Sequence, residues 1–239
     1  MDLKAGLYLL PNLLNPAGAH RDNFPACMSD MVPVLDGLIA ESQKGGRRFL
    51  SRFCYPQGKS FREVPIALLN EHTTQSEMQA LIEPLKRAEK WGLISDAGLP
   101  ILADPGADLV SLCRKKCIPV HVLPGPSSLL YALMLSGFSA QNFAFHGYLP
   151  RRDPQLKRKL AQLEQATKCE RQTQLFIEAP YRNLKLMETL LGQLQPTTYL
   201  AVCWDLTAVS QGVIVERIAK WRQISAPPIK KIPAVFLIA

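Results

Sequence analysis

The residues best placed to do chemistry lie in one stretch, Trp91 to Ser128. It reads W-G-L-I-S-D-A-G-L-P-I-L-A-D-P-G, then a helical run from Ala107 to Lys116, then I-P-V-H-V-L-P-G-P-S-S. Leu93 and Ile94 close an apolar strand that runs into a turn-rich loop holding Ser95, Asp96, Ala97, Gly98 and Pro100. A second strand, Val120 to Leu123, ends in Pro124-Gly125-Pro126-Ser127-Ser128. Strand, helix and strand make a βαβ unit. Its crossover is expected to be right-handed, with both loops opening on one edge of a parallel sheet. In open α/β sheets that edge is where ligands sit.

Other elements must hold this unit in place. Gly6 to Leu10 is an apolar run stopped by Pro11 and reads as a buried first strand. Met31 to Ile39 reads as a strand or short helix leading to Ala40-Glu41-Ser42. Gln43 to Phe53 is basic and helical toward its end, with Phe49 and Leu50 inward, and Gly45-Gly46 leaves its start open. Val64 to Leu69 is another strand. Thr73 or Thr74 caps the helix after it, and Glu77 stands three residues past Thr74, a capping-box spacing. Pro84 predicts a kink or break in that helix. Asp104 before Pro105 predicts a helix start, with Asp at the N-cap and proline in the first turn. Ser127 or Ser128 caps the next helix, which Gly137 closes.

From Gln141 the pattern changes. Strands are expected at Phe143 to Leu149, Gln174 to Glu178, Tyr199 to Cys203, Gly212 to Arg217 and Pro233 to Ile238. Helices are expected between Pro150 and Lys168 and from Asn183 to Leu191, the latter closed by Gly192. The fold class is therefore α/β in two domains. Residues 1–123 form a mostly parallel sheet flanked by helices, and residues 124–239 a mixed α/β sheet.

The chain has 239 residues, 47% hydrophobic and 20% charged, with a net charge of +8, which suits one or two domains with a sizeable core. A basic balance favours acidic partners, nucleic acid first, although solvated lysines explain it as well. The bases cluster at Lys44, Arg47, Arg48 and Arg52 and again at Arg151, Arg152, Lys157, Arg158 and Lys159. The six cysteines form no C-x-x-C pair and the four histidines are dispersed, so no metal site is expected and the thiols read as reduced. Cys113 and Cys117, four apart, fit the buried face of one helix. No run approaches the roughly 18 apolar residues of a membrane span, and the N-terminal apolar run is too short for a signal peptide. A cytoplasmic protein is expected.

S-D-A-G-L-P-I-L-A-D-P-G at 95–106 with P-G-P-S-S at 124–128 resembles the S-D-A-G-T-P…D-P-G…G-P-S signature of the tetrapyrrole methylase superfamily, the class III methyltransferases. Within it, the chain is most similar to the branch of ribosomal small-subunit RNA 2′-O-ribose methyltransferases. Leu10-Pro11 resembles that branch's first loop, and Ile39-Ala40-Glu41 with Arg47-Arg48 its second. Glu71-His72 resembles its E-H-N motif, Phe145-His146-Gly147-Tyr148-Leu149-Pro150 its F-x-G-[FY]-L-P segment, Glu178-Ala179-Pro180-Tyr181-Arg182 its E-[ST]-P-[HY]-R, and Leu206-Thr207 its late L-T pair. The ordered matches cover most of the chain.

The resemblance implies a homodimeric methyltransferase with S-adenosylmethionine in a cleft between its domains, acting on ribosomal RNA of the small subunit. It implies donor contacts at Pro11, Ser95, Asp96, Ala97, Gly98, Pro100, Ser127, Ser128, Phe145, Gly147, Tyr148, Pro180 and Leu206. Acceptor contacts are implied at Glu41, Arg47, Arg151 and Arg182, with Arg151, Arg152 and Arg182 suited to phosphates. Glycine lets main chain approach a ligand at Gly98 and Gly125, and Ser127 and Ser128 can donate from a helix N-terminus. Positioning alone supplies about 7–11 kcal/mol to such a transfer. A ribose hydroxyl still needs a base to take its proton, and Glu41, Glu71, His72 and Glu178 are candidates, with Glu71 or His72 preferred. The chain departs from the branch at four places, three of them, all but Leu99, in loops expected to shape the acceptor side. Asn15 replaces a loop glycine, Glu41-Ser42-Gln43-Lys44 replaces E-D-[TS]-R, Leu99 replaces threonine and Thr73 replaces asparagine. Two other readings follow from those departures: a tetrapyrrole or other small-molecule methylase, and a donor-binding protein without transfer.

Overall fold

A computed structural model describes residues 3–239. The chain forms two compact units that divide between Ser127 and Ser128.

The first unit is a five-stranded sheet with helices on both faces. Its elements in order are β1 (Gly6–Leu9), α1 (Met28–Met31), β2 (Gly37–Ala40), α2 (Gln43–Leu50), β3 (Ile66–Leu68), α3 (Gln75–Lys86), β4 (Lys90–Leu93), α4 (Ala107–Lys115) and β5 (Val120–Val122). The strand order is β3-β2-β4-β1-β5, and every pairing is parallel. Side chains along a strand alternate between faces, and the core follows that alternation. Tyr8, Leu38 and Ala40 pack with Met28, Phe49, Leu50 and Phe53 on one face. Leu7, Ile39, Trp91 and Leu93 pack with Leu81, Ile82, Leu109 and Cys113 on the other. Both faces being covered is what lets the strands be apolar throughout. It also leaves the strand ends as the place where polar groups converge.

Several local expectations change. α2 starts at Gln43, ahead of the glycines, because the Ser42 hydroxyl accepts the Gly45 N–H at 3.0 Å. α3 runs two residues past Pro84, to Lys86, without a break there, and its N-terminus is the Thr74–Glu77 capping box. Asp104 is not a cap: α4 begins at Ala107 after Gly106, whose φ of 139° ends any helical start upstream. Ile101 and Ala103 also have positive φ, 78° and 70°, so residues up to Gly106 form a wound loop and Asp104 is available for other contacts. α4 ends before Cys117, which is exposed, so only Cys113 occupies the buried helix face. Asn15, where the branch has glycine, takes no positive φ, and its Oδ1 accepts the Ala17 N–H in a tight turn.

The second unit holds α5 (Ser128–Ser136), β6 (Phe143–Tyr148), α6 (Gln155–Glu170), β7 (Thr173–Ile177), α7 (Asn183–Gln193), β8 (Tyr199–Trp204), β9 (Gly212–Arg217), α8 (Ile218–Trp221) and β10 (Ala234–Ile238). Its sheet order is β6-β7-β10-β8-β9, with β6-β7 parallel and the rest antiparallel. Phe176 and Phe236 stack at 5.9 Å in its core, among Leu160, Leu163, Leu190 and Trp221. α7 passes through Gly192, and extended backbone at Leu194 ends it instead. Gly137, at φ 67°, closes α5 as expected.

Candidate active site

Five loops of the first unit leave the sheet at the same edge, because all its strands are parallel. Those after β1, β2 and β4 are bonded together. Asn12, after β1, exchanges both main-chain hydrogen bonds with Gly98, after β4, at 2.8 and 3.1 Å. The Asn12 side chain donates to the Ser95 carbonyl at 2.9 Å and to the Asp96 carbonyl at 3.1 Å. Its Oδ1 accepts the Leu13 N–H at 2.9 Å, so a side chain buried to 5% exposure uses both its ends. Gly98 has φ 72°, a conformation open to glycine at little cost, and this turns the loop back onto Asn12. Glu41, after β2, accepts the Asp96 N–H at 2.8 Å. The loop after β5 packs on the first one so closely that a Cβ on Gly125 would lie 2.0 Å from the Pro11 Cβ.

Three carboxylates gather on this edge. Glu41 is half-buried, and its carboxyl is pushed above the ordinary range first by burial, then by the charges of Asp104 and Asp96, against the hydrogen bond from Asp96. Asp104 is also pushed up, by burial first and by the Asp96 charge, while a hydrogen bond from Ser95 opposes the rise. Asp96 lies beside the start of α2, where a Cβ on Gly45 would be 2.7 Å from its Oδ1. The positive end of the helix dipole favours such a carboxylate, and only glycine admits it there. The edge is thus a polar rim of main-chain groups and negative charge held above two buried apolar faces. Asn12 and Asp104 are the members that sequence reasoning passed over. A polar residue placed between apolar runs was the available signal for Asn12.

The remaining predicted residues are distributed as follows. Ser95, Gly98, Pro11, Pro100 and Ser127 are buried, and Asp96 and Ala97 are exposed. Glu71 and His72 follow β3 with side chains 85% exposed, 3.6 Å apart. Their loop is held by Asn70, whose Oδ1 accepts the His72 N–H at 3.0 Å and whose Nδ2 reaches the Glu41 carbonyl at 3.5 Å. Arg47 spends its Nη1 on the Phe61 and Val64 carbonyls at 2.8 and 2.7 Å and so braces the approach to β3. In the second unit, Ser128 begins α5. Phe145, Gly147 and Tyr148 lie along β6, where the register shifts between Phe145 and Tyr148. Pro180 accepts the Lys231 N–H at 3.1 Å, and Leu206 is buried. Glu178 accepts the Ala179 N–H at 2.8 Å and faces Arg182 Nε at 3.4 Å, so its oxygens are committed. Among the described residues no three His, Cys, Asp or Glu side chains are grouped to hold a metal ion, and no helix is long and apolar enough to cross a membrane.

The family model for tetrapyrrole (corrin/porphyrin) methylases matches residues 33–221. The chain belongs to this family. As a member it is a methyltransferase, and its curated relatives carry more specific names. Ribosomal RNA small subunit methyltransferase I of Haemophilus influenzae is 32% identical over 223 residues, covering 92% of this chain and 74% of that protein. The Vibrio cholerae protein of the same name is 31% identical over 90% of this chain and 70% of its own length. Among solved structures, diphthine synthase superposes with a TM-score of 0.65 at 13% identity, covering 98% of this chain and 89% of that one. Uroporphyrin-III-C-methyltransferase from Thermus thermophilus gives 0.53 at 17% identity, covering 98% and 92%. At these identities the structures speak for the two-unit α/β fold of the family.

The carboxylate rim makes a pH prediction. A raised carboxylate pKa means that the folded state keeps its proton to higher pH than the unfolded chain does. The protonated group contributes stability that is lost as pH rises from its ordinary value, 4.5 for Glu41, through the folded one. Glu41→Gln keeps an acceptor for the Asp96 N–H but removes the charge. Urea denaturation should show the variant more stable than the parent at neutral pH, with the gap closing in acid below about pH 4. A gap that stays constant through acid would show that the Glu41 charge is not strained.

Proposed function

We propose that the protein transfers a methyl group from S-adenosylmethionine to the ribose 2′-hydroxyl of a nucleotide in small-subunit ribosomal RNA, as a cytoplasmic homodimer. The observation that carries the acceptor is the 32% identity, over 92% of the chain, to a ribosomal RNA small subunit methyltransferase I. The net charge of +8 fits a polyanionic acceptor.

The chemistry of the rim fits the donor. S-adenosylmethionine supplies a methyl group on a positive sulfonium, already activated for displacement, and also carries an ammonium and a carboxylate. Glu41, Asp96 and Asp104 put negative charge on the edge that would receive those cations. The raised pKa values of Glu41 and Asp104 are the mark of charges held in poor solvation, which a cation relieves. Ser95, Ala97, Gly98, Pro100, Pro11 and Ser127 would line the donor, with the Asn12–Gly98 clamp fixing the main chain among them. This chain's task is then to orient and to exclude water. Glu71 or His72 takes the acceptor's proton; both follow β3, on a loop whose Asn70 reaches Glu41.

Nucleotide-resolution mapping of ribose methylation on small-subunit RNA, with and without the gene, tests the reading. One site should lose methylation when the gene is deleted and regain it on complementation. An unchanged map would remove the RNA acceptor and favour a small-molecule methylase. For the base, either Glu71→Gln or His72→Gln should lower kcat about 10²–10⁴-fold and flatten the acid limb of the pH–rate profile, with KM for the donor unchanged. Full rates in both variants would remove both residues as bases.

A further inference from the structure

The second unit holds a cavity of about 360 Å³ whose charged lining is Arg151, Arg152, Asp153, Glu178, Arg182 and Lys185. The two acids are matched. Asp153 pairs with Lys157 at 3.3 Å, and Glu178 faces Arg182 at 3.4 Å with its other oxygen on the Ala179 N–H. Among the described residues Arg151, Arg152 and Lys185 have no carboxylate at ion-pair distance, so three unmatched cations surround one small space. Two helices add to the field. α6, of 16 residues, begins at Gln155 behind Pro154, and α7, of 11, begins at Asn183 behind Arg182; neither has a side-chain cap. Residues of both first turns, Leu156 and Lys185, line the cavity. Each uncapped helix N-terminus carries roughly half a positive charge. Like charges held together repel, and Asp153 and Glu178, each matched to a cation of its own, do not fully offset this repulsion. An anion would.

The geometry points to this cavity as a phosphodiester-binding site that grips the backbone of the RNA acceptor. The inference rests on the reading of RNA as the acceptor and adds where the strand is held. The volume is at the small end for ligand pockets, which suits a phosphate and its waters. The surroundings favour a long polyanion over a free small one, because Arg151 and Arg152 are exposed and α6 carries further cations at Arg158 and Lys159. The guanidinium groups can take a phosphate two-pronged and Lys185 as a point charge. Glu178, with a side chain only 6% exposed, holds Arg182 and so shapes the wall of the cavity.

Fluorescence anisotropy with a short single-stranded fragment of small-subunit RNA, titrated from about 50 to about 200 mM salt, reads the number of phosphate contacts. The double variant Arg152→Gln/Lys185→Gln should bind about 10-fold more weakly, and its log–log salt slope should fall by about 0.7 for each cation removed. Arg152→Lys/Lys185→Arg should keep most of the slope, and calorimetry with S-adenosylmethionine should give parental donor affinity in both, which reports intact folding. If the parent binds RNA and the Gln variant binds with the same slope, the cavity is not the phosphate site, and the RNA reading stands without it. If the parent binds donor but no RNA at any salt, the acceptor reading fails and this site fails with it.

Discussion

The first unit depends on how Asn12 is satisfied. It is a buried amide at the edge of a parallel sheet, where the nearest regular ladder has ended. Its main chain pairs with Gly98, and its side chain bonds Ser95, Asp96 and Leu13. An unpaired buried polar group costs about 1–3 kcal/mol, so the loops after β1 and β4 are held in one arrangement or pay several such costs. With that arrangement set, the Asp96 N–H is aimed at Glu41 and the Asp96 carboxylate at the start of α2. The contacts that build the rim follow from the amide at its centre.

Stability and site pull in opposite directions here. The two apolar clusters on either face of the sheet supply burial that tolerates a costly edge. Glu41 and Asp104 sit where burial and neighbouring charge both disfavour ionisation. Positive φ at Ile101, Ala103 and Gly106 winds the loop that brings Asp104 back toward Ser95. Such groups and backbone conformations persist when surrounding structure over-determines them, and they concentrate at functional sites. The second unit uses the same device with the opposite sign, gathering unmatched cations at two helix starts.

Where local chemistry decides structure, the sequence was readable. The five strand–helix alternations, the capping box at Thr74 and the closing Gly137 follow from periodicity and end signals, and the structure has them. The ordered motifs likewise led to the family that the matching model identifies. What was not readable depends on contacts across the chain. Asp104-Pro105 carries a valid helix-start signal, yet Gly106 overrides it because the loop must return to Ser95. Gly45-Gly46 leaves the helix start open until Asp96, some fifty residues on, is seen to occupy the space of a side chain at Gly45, and Ile66 that at Gly46. Arg47 reads from the sequence as one of a basic cluster, and only the fold shows its Nη1 on the Phe61 and Val64 carbonyls. Arg151 and Arg152 were visible as a basic pair, but Lys185 joins them only through folding of the second unit.

The proposed role of the clamped edge of the first unit is to hold S-adenosylmethionine. Calorimetry of donor binding to the parent and to Asn12→Ala tests it most directly, with circular dichroism as the check on folding. Releasing the clamp should weaken donor affinity at least about 10-fold, the equivalent of about 1.4 kcal/mol, while the fold persists. Parental affinity in a folded Asn12→Ala protein would show that the clamp does not hold the donor.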